Sequence, residues 1–117
     1  MHSIVKTDLG SITIDNDVIG RLAGLTAMEC YGVVGMAAKS IRDGLVHLLK
    51  IESLTKGVRV KVTEKNDLLI NLHIIVEYGT NIVAITNTLI ENVKYKVETC
   101  VGLTVREVNI FVESIRV

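Results

Sequence analysis

A chain of 117 residues is the size of one domain and supports a hydrophobic core without disulfides or metals. Its apolar share is 49% but its aromatic share only 3%, with no Trp and no Pro, so the core must be built from Val, Ile, Leu and Ala. Thirteen Lys and Arg balance thirteen Asp and Glu, which weighs against a phosphate-neutralising nucleic-acid surface and removes a charge barrier to self-association.

No apolar run approaches the roughly 18 to 20 residues that span a bilayer. The opening MHSIVKTDLG has neither the basic start nor the apolar stretch of a signal peptide. These features predict a cytoplasmic protein whose membrane contact, if any, is peripheral or through a partner. Cys30 and Cys100 are too few for a disulfide framework.

Taken in order, residues 1–8 are expected to be loosely held. Ser11 to Ile14 alternate as a short strand, and Asp15, Asn16 and Asp17 offer acceptors for a helix N-cap. The helix that follows runs to about Cys30, with Ile19, Leu22, Ala23, Thr26, Ala27 and Cys30 on one stripe. Gly20 and Gly24, four apart, suggest either close approach by another backbone or a tolerated solvent position. Tyr31-Gly32 closes the helix, and Val33 to Met36 reads as an extended segment. Ile41, Leu45, Leu48 and Leu49 keep helical spacing across Gly44, which predicts a helix over 37–52. Ser53 to Gly57 reads as a turn.

Val58, Val60 and Val62 alternate with Arg59, Lys61 and Thr63, a strand with a basic outer face. Glu64 to Asp67 connects it as an antiparallel hairpin to Leu68–Gly79, LLINLHIIVEYG, the longest alternating stretch in the chain. A strand this long and apolar belongs at the centre of a sheet, since at an edge it would template aggregation. Gly79-Thr80-Asn81 ends it and caps a helix from Ile82 to about Cys100, striped by Ile82, Ile85, Leu89, Val93 and Val97 and closed by Gly102. Val108, Ile110 and Val112 form the last strand, and Val105, out of phase with them, predicts a bulge near Arg106-Glu107.

The order β-α-β-(α)-β-β-α-β predicts an α+β, two-layer single domain over 1–117. It has a small mixed sheet of about four strands, with two to three helices mainly on one face. The last helix crosses back to set the final strand beside the hairpin.

Candidate chemistry is sparse. His2, His47 and His73 form no i, i+3 or i, i+4 pair, and neither Cys lies in a CxxC, so neither a metal site nor a cofactor is expected. Cys30 and Cys100 sit near helix C-termini, where the dipole disfavours a thiolate, and read as small core residues. No phosphate-binding loop pattern occurs. Gly32-Val33-Val34-Gly35 is a GxxG, the element with which KH modules admit a nucleic-acid backbone, but both middle residues are Val. The basic set Lys56, Arg59, Lys61 and Lys65 is the candidate partner surface, as a charged patch for an anionic partner or lipid head group. Gly32, Gly35, Gly57, Gly79 and Gly102 read as structural glycines.

A set of short motifs carries a resemblance. Gly10 to Ile14, Val18-Ile19, Leu22-Ala23, Ala27 and Glu29 to Met36 resemble the N-terminal signature of the alkaline-shock, or envelope stress response, family of Gram-positive bacteria. Lys56 to Val58, Val76 to Gly79 with Ile82, and Val97 through Gly102-Leu103 to Ile110 are similar to its second half, so that the likeness spans about residues 9–115. Asn71, Val101 and Ser114 depart from that pattern. The resemblance implies a non-catalytic, self-associating scaffold or adaptor in cell-envelope homeostasis. It would be a homo-oligomer that acts at the cytoplasmic side of the membrane through a membrane-anchored partner. The alternative from the residues alone is a nucleic-acid or small-ligand module at the Gly32–Gly35 junction.

Overall fold

The computed structural model describes residues 2–39, 46–48 and 57–117. Its elements run β1 (His2–Thr7), β2 (Gly10–Asp15), α1 (Asn16–Met28), β3 (Val33–Lys39), β4 (Val46–Leu48), β5 (Val58–Val62), β6 (Leu68–Glu77), α2 (Ile82–Val101) and β7 (Val105–Arg116). The order is β-β-α-β-β-β-α-β, an α+β fold in which two helices cover one face of the main sheet.

β6 is the centre of that sheet, as its alternation demands. Leu68, Ile70, Leu72, Ile74 and Val76 are wholly buried and point to the helices. On one side β6 pairs in parallel with β7 along its whole length, from Leu68 opposite Val105 to Glu77 opposite Arg116. A parallel pair needs a long crossover, and α2 supplies it. On the other side β6 is shared end to end by two antiparallel strands. β5 takes Leu68 to Leu72, and β3 takes Ile74 to Val76. The handover falls at Gly57. A Cβ there would stand 3.0 Å from the carbonyl oxygen of Ala37 and 3.1 Å from Met36 Cβ, so only glycine lets the two chains pass without displacement.

The helices form as their stripes predict. Asp15 caps α1 by accepting a hydrogen bond from the Asp17 N–H at 3.1 Å. Asn81 caps α2 through the Ala84 N–H at 3.1 Å, and Gly102 ends it in the left-handed region. Ile19, Ala23 and Ala27 of α1 and Ile85, Leu89, Val93 and Val97 of α2 meet the sheet in one core. Gly20 and Gly24 are buried, which excludes the tolerated solvent position.

Three expectations are corrected. Residues 2–7 are not loose: β1 pairs with β2 from His2–Asp15 to Thr7–Gly10, and the Asn66 side chain donates to the Ile4 carbonyl at 2.7 Å. The turn Asp8-Leu9 lacks the Asn-Gly or Asp-Gly signature that advertises a tight hairpin, so nothing local in the sequence marks β1. The helix expected over 37–52 is absent where that stretch is described. Ala37 to Lys39 complete β3 and pair with Val46 to Leu48, because β3 continues past the point where β5 displaces it from β6 and takes a new antiparallel partner. The rest of that stretch, and the turn expected over Ser53 to Lys56, lies outside the described residues. Finally, Cys30 is buried but Cys100 is exposed, off the stripe that α2 buries.

Candidate functional site

The helices occupy one face of the sheet and leave the other without a described covering element. On that face the β6 residues Leu69, Asn71 and His73, half-buried, and Ile75, buried, lie between Lys61 and Arg59 of β5 and Glu107, Asn109 and Phe111 of β7. Polar side chains there pair across the strands. Asn109 Nδ2 donates to Asn71 Oδ1 at 3.0 Å. The His73 ring stacks on Phe111 with centroids 4.8 Å apart and planes 14° from parallel, and its Nδ1 lies 3.0 Å from Glu113 Oε1. This row braces the sheet and fixes the open surface. Among the described residues it holds no cluster of metal-ligating side chains.

Of the basic candidates, Arg59 and Lys61 project from β5 and are exposed. Lys65 sits in the β5–β6 turn. The turn is rigid: Asn66 N–H donates to the Thr63 carbonyl and Thr63 N–H to the Asp67 carbonyl, both at 2.9 Å, with Asn66 left-handed at φ 63°. Thr63 Oγ1 also bonds the Asp67 carboxylate. Lys56 lies outside the described residues. Lys61 and Lys65 line a cleft of about 390 Å³ together with Glu64, Leu69 and Arg106. Arg106 was not among the candidates, being far from them in sequence. The signal that could have found it is the bulge: the register steps from Val105 opposite Leu68 to Glu107 opposite Leu69, leaving Arg106 as the extra residue, re-aimed toward the turn. None of these three cations pairs with a carboxylate among the described residues. An exposed ion pair is worth only about 0–1 kcal/mol, so the cleft can hold an anion only through several weak, salt-sensitive contacts acting together.

The Gly32–Gly35 junction is not an open loop. Gly32 is left-handed at φ 88°, and a Cβ there would collide with the Ile85 side chain. Val33 is buried opposite Val76, and Gly35 pairs with Ile75. The segment is a strand entry wedged under α2, where no nucleic-acid backbone gains access. Gly79 and Gly102 end β6 and α2. Of the thiols, burial pushes that of Cys30 above its ordinary pKa, the reverse of what a nucleophile needs. No described helix is long and apolar enough to cross a membrane.

The profile of the ASP23 family, described by its cell envelope-related function, matches residues 4–117. The chain belongs to this alkaline-shock (ASP23) family. Among its relatives, the uncharacterized protein YloU of Bacillus subtilis is 43% identical over 114 residues, covering 97% of this chain and 94% of that one. The uncharacterized protein Spy1614 of Streptococcus pyogenes is 38% identical over 114 residues, 97% of this chain and 93% of that one. A stress response regulator gls24 homolog of S. pyogenes is 29% identical over 107 residues, 92% of this chain but 59% of its own length. No solved structure matches. Membership of the ASP23 family agrees with the resemblance read from the motifs.

Proposed function

We propose that this chain is a non-catalytic, self-associating scaffold or adaptor of the envelope stress response, acting at the cytoplasmic side of the membrane through an anchored protein. The observation that carries the reading is the distribution of used and unused surface. Both helices serve one face of the sheet, while the opposite face and the outer edge of the 12-residue β7 are left without a described partner. An unpaired strand edge of that length is a template for another chain. The basic cleft of Lys61, Lys65 and Arg106 is offered to the acidic region of the anchored partner, whose approach it would steer electrostatically. Zero formal charge lets copies approach one another.

Sedimentation velocity across a concentration series tests self-association. The expected result is a species of 12.8 kDa giving way to one of at least twice that mass as concentration rises. A single 12.8 kDa species at every concentration overturns the proposal.

A further inference from the structure

β7 is an unusual edge. It is long, among the described residues it is bound on one side only, and it carries two bulges, at Arg106 and at Glu113, where the register against β6 shifts. The hydrogen bonds at its two ends fix which backbone groups are spent on β6. Leu68 N–H donates to the Thr104 carbonyl and Tyr78 N–H to the Arg116 carbonyl, both at 2.9 Å, while Glu77 N–H turns to Gly32 on the other side. Even-numbered residues of β6 therefore bond toward β7. In a parallel ladder the residue directly opposite a bonding residue points its own N–H and C=O the other way. Those opposite residues are Val105, Val108, Ile110, Val112 and Ile115. Their amides and carbonyls face outward along the free edge.

The spacing of these five residues is a palindrome. The steps are three, two, two and three, because one bulge falls between Val105 and Val108 and the other between Val112 and Ile115, the outermost interval on each side of Ile110. A bulge ordinarily spoils an edge for pairing. Here a two-fold axis through Ile110 superposes bulge on bulge: Ile110 meets Ile110, Val108 meets Val112, and Val105 meets Ile115. Every outward-bonding residue then meets another in antiparallel register.

We infer that the occupant of the β7 edge is the β7 edge of a second copy, paired antiparallel about Ile110 to make one continuous sheet across the dimer. This rests on the self-association proposed above and names its surface. A two-fold interface needs a patch complementary to itself, and the palindrome supplies it.

Two measurements on the intact chain test it. The first is Ile110→Cys in a Cys100→Ser background, oxidised under conditions where the sedimenting species is the larger one. Directly opposed hydrogen-bonded residues lie about 5.5 Å apart at Cα, within disulfide reach. A disulfide-linked dimer is expected, and the same oxidation of Ser11→Cys in that background is expected to leave monomer on a denaturing gel. The second uses the unaltered chain: hydrogen exchange at Val108, Ile110 and Val112 should slow as concentration rises through the association, while exchange in β1 does not. If the chain associates but these amides exchange at the same rate in both species, the β7 assignment falls while self-association stands. If it never associates, both fall.

Discussion

Replacing Gly32 by Ala separates two costs that the structure superposes. The left-handed backbone at φ 88° disfavours any side chain, by about 1–2 kcal/mol. The added methyl also drives into the Ile85 side chain, and overpacking of this kind costs about 1–3 kcal/mol. Reduced freedom of the unfolded chain returns about 0.4–1 kcal/mol. The net loss is about 2–4 kcal/mol. Gly102 supplies the control, for it is left-handed at φ 81° but nothing stands within 4 Å of a Cβ there, so Gly102→Ala should lose only about 1 kcal/mol. Urea unfolding followed by circular dichroism reads both. With a slope of about 1–3 kcal/mol per molar, Gly32→Ala lowers the midpoint by about 1 M or more and Gly102→Ala by about half that or less. Ile85→Val trims the colliding end of the side chain and should partly restore Gly32→Ala while destabilising the unaltered protein by about 0.5–1.5 kcal/mol. Equal losses for the two glycine variants, with no rescue, would refute the wedge of α2 on the α1–β3 junction.

Other consequences follow from the same packing. Leu72→Ala, at a wholly buried position in the middle of β6, should cost about 2–5 kcal/mol in the same assay. Asn66→Gly keeps the left-handed turn but removes the donor to the Ile4 carbonyl. Hydrogen exchange should then quicken across β1 while β6 stays protected. Native-state alkylation should label exposed Cys100 first and Cys30 only on unfolding. Burial raises the Cys30 pKa, so its contribution to stability is complete below the unfolded thiol pKa. That contribution declines as pH rises through this value toward the folded one, visible as a lower urea midpoint in alkaline buffer. Lys61→Gln with Arg106→Gln should leave stability within about 0.5 kcal/mol, yet weaken, in a salt-sensitive way, the capture of an acidic partner.

Much of this fold is legible in the residues. The alternation of Leu68 to Glu77 gives the central strand, the stripes of Ile19 to Ala27 and Ile85 to Val97 give the helices, and the phase slip at Val105 gives the bulge. β2 is legible in the alternation of Ser11 to Ile14, but β1 and its pairing are not, because little of the hairpin is buried. The β3–β4 pairing is hidden because Ile41, Leu45 and Leu48 share a helical spacing, while pairing between distant segments outweighs such local signals. Of the candidate surface, Arg59, Lys61 and Lys65 are readable as one hairpin's outer charges. Arg106 joins them only through the parallel return of β7, a tertiary event with no local trace except its bulge.

Fractionation of native cells, with cross-linking and mass spectrometry of what accompanies the chain, tests the scaffold claim most directly. The account predicts that the chain sediments with membranes and that detergent releases it joined to an integral membrane protein. Cross-links from that protein should reach Lys61 or Lys65. A chain that stays in the soluble fraction, cross-linked neither to a membrane protein nor to another copy of itself, would contradict it.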